Sequence, residues 1–361
     1  MKLTHPKSFG LFLIFALTAF LLSESSLYGL TGSLDEGAPM LMGAYAVRSV
    51  FLLGCSAIGV YLLHLRAKHQ KQSRPLRFVN QPWSKPQMAI AAAAILLNFV
   101  FLLLLSLNPN LFSQLAQEDV LIEPLSAVFL FSSAAILSWQ AWKLSRHDER
   151  TWPKKHWLIG GLGCLALIFF VIAMEEVSWF QRVAAFETPD AFSANLQSEF
   201  NLHNFATSAF EYLYYTGAFV YLIALPYLHL TSLLPAYIKR FSLFFGSSFT
   251  LCLSAILTAY NYDMWNAFPM QIGYFLTLCS LVSLYCLSDV RLIKRLCLIF
   301  LLTLLLTQAA FFAFGSQMSR LWDATEYKEF FIALGFFAYS LDVRRKLARS
   351  SVQQPFASEP V

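Results

Sequence analysis

Charge is what this 361-residue sequence has least of. Only 13% of its residues are Asp, Glu, Lys or Arg, about half the share in a soluble domain. That shortage excludes a string of soluble domains, which length alone would suggest. No run of about ten residues alternates polar and apolar, so a membrane β-barrel is excluded as well. Cysteine is scarce and uninformative. Cys55, Cys164, Cys252, Cys279, Cys286 and Cys297 all lie in apolar stretches, without CxxC or Cys/His spacing. They read as small packing residues, neither a disulfide framework nor a thiolate metal site. A P-loop, a GxGxxG after a strand, a GxSxG and an HExxH are all missing, so no cofactor is implied. No internal repeat and no soluble domain is visible.

What is present is apolar length. Hydrophobic residues make up 57% of the chain, and runs near twenty residues recur throughout. Such runs are helices, because backbone groups in lipid must satisfy one another locally. The expected fold is all-α: one polytopic transmembrane helical bundle over residues 1–349, followed by a disordered tail over 350–361. Ten spans are predicted, at 9–29, 39–64, 87–108, 121–142, 157–176, 209–232, 242–260, 270–288, 296–314 and 326–342. Lys2 and Lys7 precede the first run as they would in a signal peptide. Ser-Glu-Ser-Ser-Leu-Tyr after it offers no small-x-small cleavage site, so a retained helix is predicted.

The distribution of the few charges gives an orientation. Alternate loops divide the 26 Lys and Arg residues into 22 on one side and 3 on the other, with Arg48 inside a span. By the positive-inside rule, the basic loops and both termini face the cytoplasm. Of the 21 acids, sixteen fall outside or at outer helix ends. Basic loops beside a bilayer favour anionic lipid head groups. They do not indicate nucleic acid, which needs a basic soluble face.

Several outer acids have a structural explanation. Asp119, Glu123 before Pro124, and Glu211 sit at helix N-termini, where the macrodipole favours anions. Asp323 and Glu326 have the spacing of a capping box. Glu329 is a turn deeper and harder to explain so. Glu175 and Glu176 stand apart, since they end a span and meet the unfavourable pole of its dipole. Ideal helical spacing puts Glu175, Ser178, Trp179 and Arg182 on one face, which makes Arg182 the expected counter-ion. Glu187-Thr188-Pro189-Asp190 reads as a helix start, with Thr188 as N-cap and a short interfacial helix to about residue 196. His203, between Asn201 and Asn204, is the single outer histidine, a candidate general base or metal ligand. The bland alternative is a hydrogen-bonded interface histidine beside a salt-bridged helix end.

Glu-Asp-x-x-x-Glu at 118–123, Glu-Glu-Val-Ser-Trp-Phe-Gln-Arg at 175–182, Glu-Thr-Pro at 187–189 and Asn-Leu-His-Asn at 201–204 together resemble a group of uncharacterised bacterial multi-pass membrane proteins. Glu326 and Glu329 fit the same group. A glycine often precedes Gln-Arg there, where this chain has Phe180. The resemblance implies a shared outer-face site, not a particular reaction.

The candidate catalytic residues are therefore Glu123, Glu175, Glu176, Arg182, His203 and Glu329. A divalent metal is one expectation, with Glu175, Glu176 and His203 as ligands. The leading functional expectation is a membrane-embedded enzyme acting on a lipid or lipid-linked substrate, with Arg182 holding a phosphate or carboxylate. The alternatives are a proton-coupled transporter or flippase, a lipid-linked glycosyltransferase using Asp35 and Glu36, and a non-catalytic subunit.

Overall fold

A computed structural model describes residues 6–21, 43–73, 76, 79–146, 155–192, 199–239 and 241–353. Every regular element among them is a helix. In chain order the long ones are α1 (Pro6–Leu21), α2 (Gly43–Ser73), α3 (Lys85–Leu107), α4 (Ile122–Ser145) and α5 (Lys155–Glu176). Then come α6 (Thr207–Leu230), α7 (Ser248–Ser254, continued by a tighter turn at Ala255–Ala259), α8 (Phe268–Leu287), α9 (Arg291–Phe314) and α10 (Asp323–Gln353).

Eight helices are long and apolar enough to cross a membrane, from Ala46–Lys71 to Arg291–Gln317. They coincide with the second to ninth predicted spans. The two outer members of the predicted ten behave differently. α1 is described for 16 residues, and the predicted stretch 22–29 lies outside the described residues, as do Asp35 and Glu36. α1 packs on α2, where Phe15 and Phe12 lie 3.4 and 3.5 Å from the Cβ positions of Gly54 and Gly59. α10 is 31 residues long, but its uncharged stretch 330–341 rises only about 18 Å at 1.5 Å per residue. Charged residues bracket that stretch at both ends. α10 also runs through Gln353, so the predicted tail is helical at its start, and 354–361 lie outside the described residues.

The centre of the bundle is α7 against α10. Of the apolar window Ser242–Ala259, 83% is buried, which leaves α7 almost no lipid-facing surface. Small residues let the two helices approach, as is usual without a hydrophobic driving force between helices. A Cβ on Gly335 of α10 would lie 2.7 Å from Ser254 Oγ and 3.0 Å from Leu222 Cδ1. Several polar side chains inside the bundle pair with one another, which lowers the cost of burying them. Fully buried Asn98 donates to Thr307 Oγ1 at 3.0 Å and accepts from the Tyr260 hydroxyl at 2.9 Å. Arg48, also buried, donates to Gln271 Oε1 at 3.3 Å and to the Asn266 carbonyl.

Because successive helices run antiparallel, the chain sorts its charges by end. One end gathers Lys71, Asn80 and Asp289 with Gln87, Asp342 and Arg345. There the Lys71 ammonium, at 2.6 Å, and then the Asn80 amide hold the Asp289 carboxyl below the usual carboxylate range. The opposite end gathers the starts of α4, α6 and α10 and the end of α5. The predicted site residues all belong to that opposite end.

Candidate functional site

α5 reaches this end and stops abruptly. After Glu176 the chain takes three successive left-handed residues, Ser178 (φ 43°), Trp179 (φ 54°) and Phe180 (φ 61°). Such φ values are costly for residues with a Cβ, so something must hold them. Trp179 Nε1 donates to Glu175 Oε1 at 2.8 Å. Gln181 accepts from the Phe200 amide at 2.5 Å and donates to Thr188 Oγ1 at 2.7 Å. Phe180 stacks on Phe131 of α4 with ring centroids 6.0 Å apart. The Phe180 position is one that glycine would occupy without penalty.

This turn overrules the expected helical face. Arg182 does not reach Glu175. It grips Glu118 and Asp119, each at 2.5 Å, and also Glu199. Burial works against the guanidinium charge, but hydrogen bonds to Asp119 and Glu118 leave its pKa raised. Arg182 is thus a clamp joining the start of α4 to segment 199–205, through three of its five N–H donors. Three acids therefore already surround the guanidinium that was expected to hold a substrate phosphate or carboxylate.

The adjacent carboxylates part company too, because neighbouring helix positions point about 100° apart. Glu175 turns back to latch the chain. Its Oε2 accepts the Leu202 and His203 amides at 2.7 and 3.2 Å, and His203 Nδ1 lies 3.5 Å away. Glu176 turns inward to a cavity of about 370 Å³. Glu123, Glu326 and Glu329 share that cavity with His203, and Glu118, Glu199, Glu211, Asp263 and Arg320 complete most of its charged wall. Glu123 also accepts the Asp119 amide at 2.7 Å, and Glu329 accepts the Tyr215 hydroxyl at 2.6 Å. Among the described residues no hydrogen bond or ion pair reaches Glu176 or Glu326, so their oxygens face the cavity uncommitted.

Other expectations change in detail. Asp323 bonds the Arg320 amide at 3.0 Å and its Nε at 2.8 Å, in place of the expected capping box, and this releases Glu326 to the cavity. Thr188 accepts from Gln181, and only a single turn forms at Asp190–Phe192; the rest of the predicted interfacial helix lies outside the described residues. The proposed ligand set of Glu175, Glu176 and His203 is not assembled. Among the described residues, no three His, Cys, Asp or Glu side chains converge closely enough to hold a metal ion.

Two buried charges near these acids, Asp263 in the cavity's lining and Lys328 behind it, belong to none of the sequence motifs. Asp263 arrives from the connection between α7 and α8 and is 3% exposed. Lys328, 2% exposed, approaches Asn261 Oδ1 and Met270 Sδ, and lies 4.5 Å from the centre of the Tyr215 ring. The one signal for Lys328 was its place between Glu326 and Glu329, where a lysine on the buried face of α10 needs polar company.

A second cavity of about 510 Å³ adjoins the first and shares Glu176, His203, Glu211 and Glu329 with it. The rest of its lining, from α5, α6 and α10, is almost wholly apolar. Compared with family models, curated proteins and solved structures, the chain matches none.

Proposed function

We propose that this protein is a multi-pass enzyme of the bacterial cytoplasmic membrane, with both termini in the cytoplasm, acting on a lipid or lipid-linked substrate at the outer leaflet. The observation that carries this reading is the convergence of Glu123, Glu176, His203 and Glu329 on one cavity. They come from α4, α5, α10 and the segment before α6, and nothing in packing requires four separate segments to send ionisable groups to one space. The orientation rests on the division of Lys and Arg between alternate loops.

In this reading Glu176 is the acid/base group. It borders both cavities, so it stands where a polar head would meet an apolar chain. Its carboxylate is uncommitted, and general acid–base catalysis needs a positioned group within hydrogen-bond reach of the reacting proton. His203 borders the same junction and provides a second proton carrier, while Glu175 fixes its backbone. Glu329 is oriented by Tyr215. With Arg182 committed to its rim, the reading takes no phosphate contact from it.

The test is a lipid analysis of cells depleted of the chain and complemented with wild type, Glu176→Gln or His203→Ala. The expected result is a lipid or lipid-linked species that accumulates on depletion and is cleared by wild type but not by Glu176→Gln. Full complementation by both variants, with an unchanged lipid profile, removes the acid/base reading. Solute uptake by proteoliposomes that is lost in Glu176→Gln replaces it with transport.

A further inference from the structure

Glycine in a membrane helix usually marks a place where another helix comes close. Gly335, Gly161 and Gly315 follow that rule, each with a side-chain atom under 3.0 Å from its Cβ position. Gly217, in the middle of α6, does not. A Cβ built there meets nothing within 4 Å, yet glycine weakens a helix interior relative to alanine. Gly217 lines the apolar cavity between α5 and α6, so a side chain at 217 would stand in that space.

Further features concern the same groove. It runs beside Ile168–Glu176 of α5 and Phe210–Ala218 of α6, a rise of about 12 Å, most of the roughly 15 Å depth of one leaflet. It is open sideways, since Ile168 is 45% and Leu213 73% exposed on faces that a bilayer would cover. Its upper end is the set of residues shared with the polar cavity. Tyr214, in the wall by that end, buries its hydroxyl without a hydrogen-bond partner among the described residues. Just below Gly217, α6 widens into a π-helical turn at Val220–Ala224, a distortion that often accompanies functional sites.

We infer that this groove is the hydrocarbon subsite of the enzyme. It receives one acyl or isoprenyl chain of an outer-leaflet lipid, entering laterally between α5 and α6, and sets the head group of that lipid against Glu176 and His203. The inference rests on the enzymatic reading for the role of the head group, but the chain subsite can be tested without it.

The experiment uses the full-length protein in vesicles of phosphatidylethanolamine and phosphatidylglycerol, doped with a phospholipid bearing a diazirine near the end of its acyl chain. Irradiation and peptide mapping locate the adducts. In wild type they concentrate on Ile172 and Leu213 over Leu96 and Leu103, which are exposed elsewhere. Labelling of the groove falls stepwise through Gly217→Ala, Gly217→Leu and Gly217→Trp, by about tenfold for the last, equivalent to about 1.4 kcal/mol of lost occupancy. Gly163→Trp, another open position but in a different groove, leaves it unchanged. Even labelling around the perimeter, or groove labelling indifferent to Gly217→Leu in a folded protein, overturns the subsite. Glu176→Gln retains the labelling. If Glu176→Gln is silent in cells while Gly217→Trp loses the adducts, the acid/base reading fails and the chain subsite stands.

Discussion

At the residue scale, the site depends on backbone that its side chains would not choose. Ser178, Trp179, Phe180 and Ala185 all have positive φ, as does Asp119 across the cavity rim. Each such residue costs on the order of 1–2 kcal/mol, and the surrounding bonds over-determine the turn, a pattern that collects at functional sites. Ala185 is exposed and its φ is 52°, so it isolates the strain from packing. Ala185→Gly should raise stability by about 0.5–1 kcal/mol, the left-handed penalty less the added freedom of the unfolded chain, measured by thermal unfolding in detergent. Arg182→Gln should act in the opposite sense. It leaves Glu118, Asp119 and Glu199 crowded without their cation, for a loss of about 1–2 kcal/mol after discounting solvent screening. Limited proteolysis should show the loss first as faster cleavage within 177–206.

At the element scale, α7 and α10 form the rigid core on which the site stands. Gly335→Ala drives a methyl group to 2.7 Å from Ser254 Oγ and 3.0 Å from Leu222 Cδ1. Overpacking of this kind costs about 1–3 kcal/mol, read as a lower unfolding temperature. Because α10 also carries Glu326, Lys328 and Glu329, the same variant should weaken cellular function beyond its effect on protein level. At the other end, Lys71 and Asn80 tie α2 and the segment before α3 to Asp289 between α8 and α9. Asp289 has a depressed folded pKa. Its contribution is therefore complete above the ordinary carboxylate pKa and disappears as pH falls through the lower, folded value. Wild type should lose stability on acidification below about pH 4 by more than Asp289→Asn does, in matched unfolding curves. The contribution is small, since Asp289 is largely exposed.

At the scale of the whole molecule, the two ends have opposite chemistry. The end with Lys71, Arg345 and Lys346 is a structural lattice of ion pairs and side-chain amide hydrogen bonds, whereas the other end holds an acidic cavity beside an apolar groove. The proposed orientation sets the cavity at the outer leaflet. In a variant lacking the exposed Cys164 and Cys286, Glu187→Cys should react with a membrane-impermeant maleimide added to intact cells, while Lys155→Cys should react only after lysis. The reverse result would turn the molecule over and move the proposed substrate to the cytoplasmic leaflet.

The spans could be read from the sequence because a membrane helix is a local object. Its backbone bonds close within the segment and its apolar length must match the bilayer, so the second to ninth spans coincide with apolar helices in the structure. The oddity of Glu175 and Glu176 was legible for the same reason, since a helix dipole is local as well. Their separate fates were not. Arg182 was assigned to the face of Glu175 by ideal helical spacing, but three left-handed residues break that spacing. They are held by Phe200, Thr188 and Phe131, which are near only in the fold. Asp263, Tyr215 and Lys328 carried too little local signal, because their significance lies in which helices α7 and α10 bring beside them. Gly217 looked like any membrane glycine until the structure showed empty space where a neighbouring helix would be expected. Sequence alone determined the helices and the sorting of charge by loop, because both follow from each segment's own contact with lipid and water. Only tertiary structure decided which acids face the cavity and which serve as latches, because that depends on contacts between segments far apart in the chain.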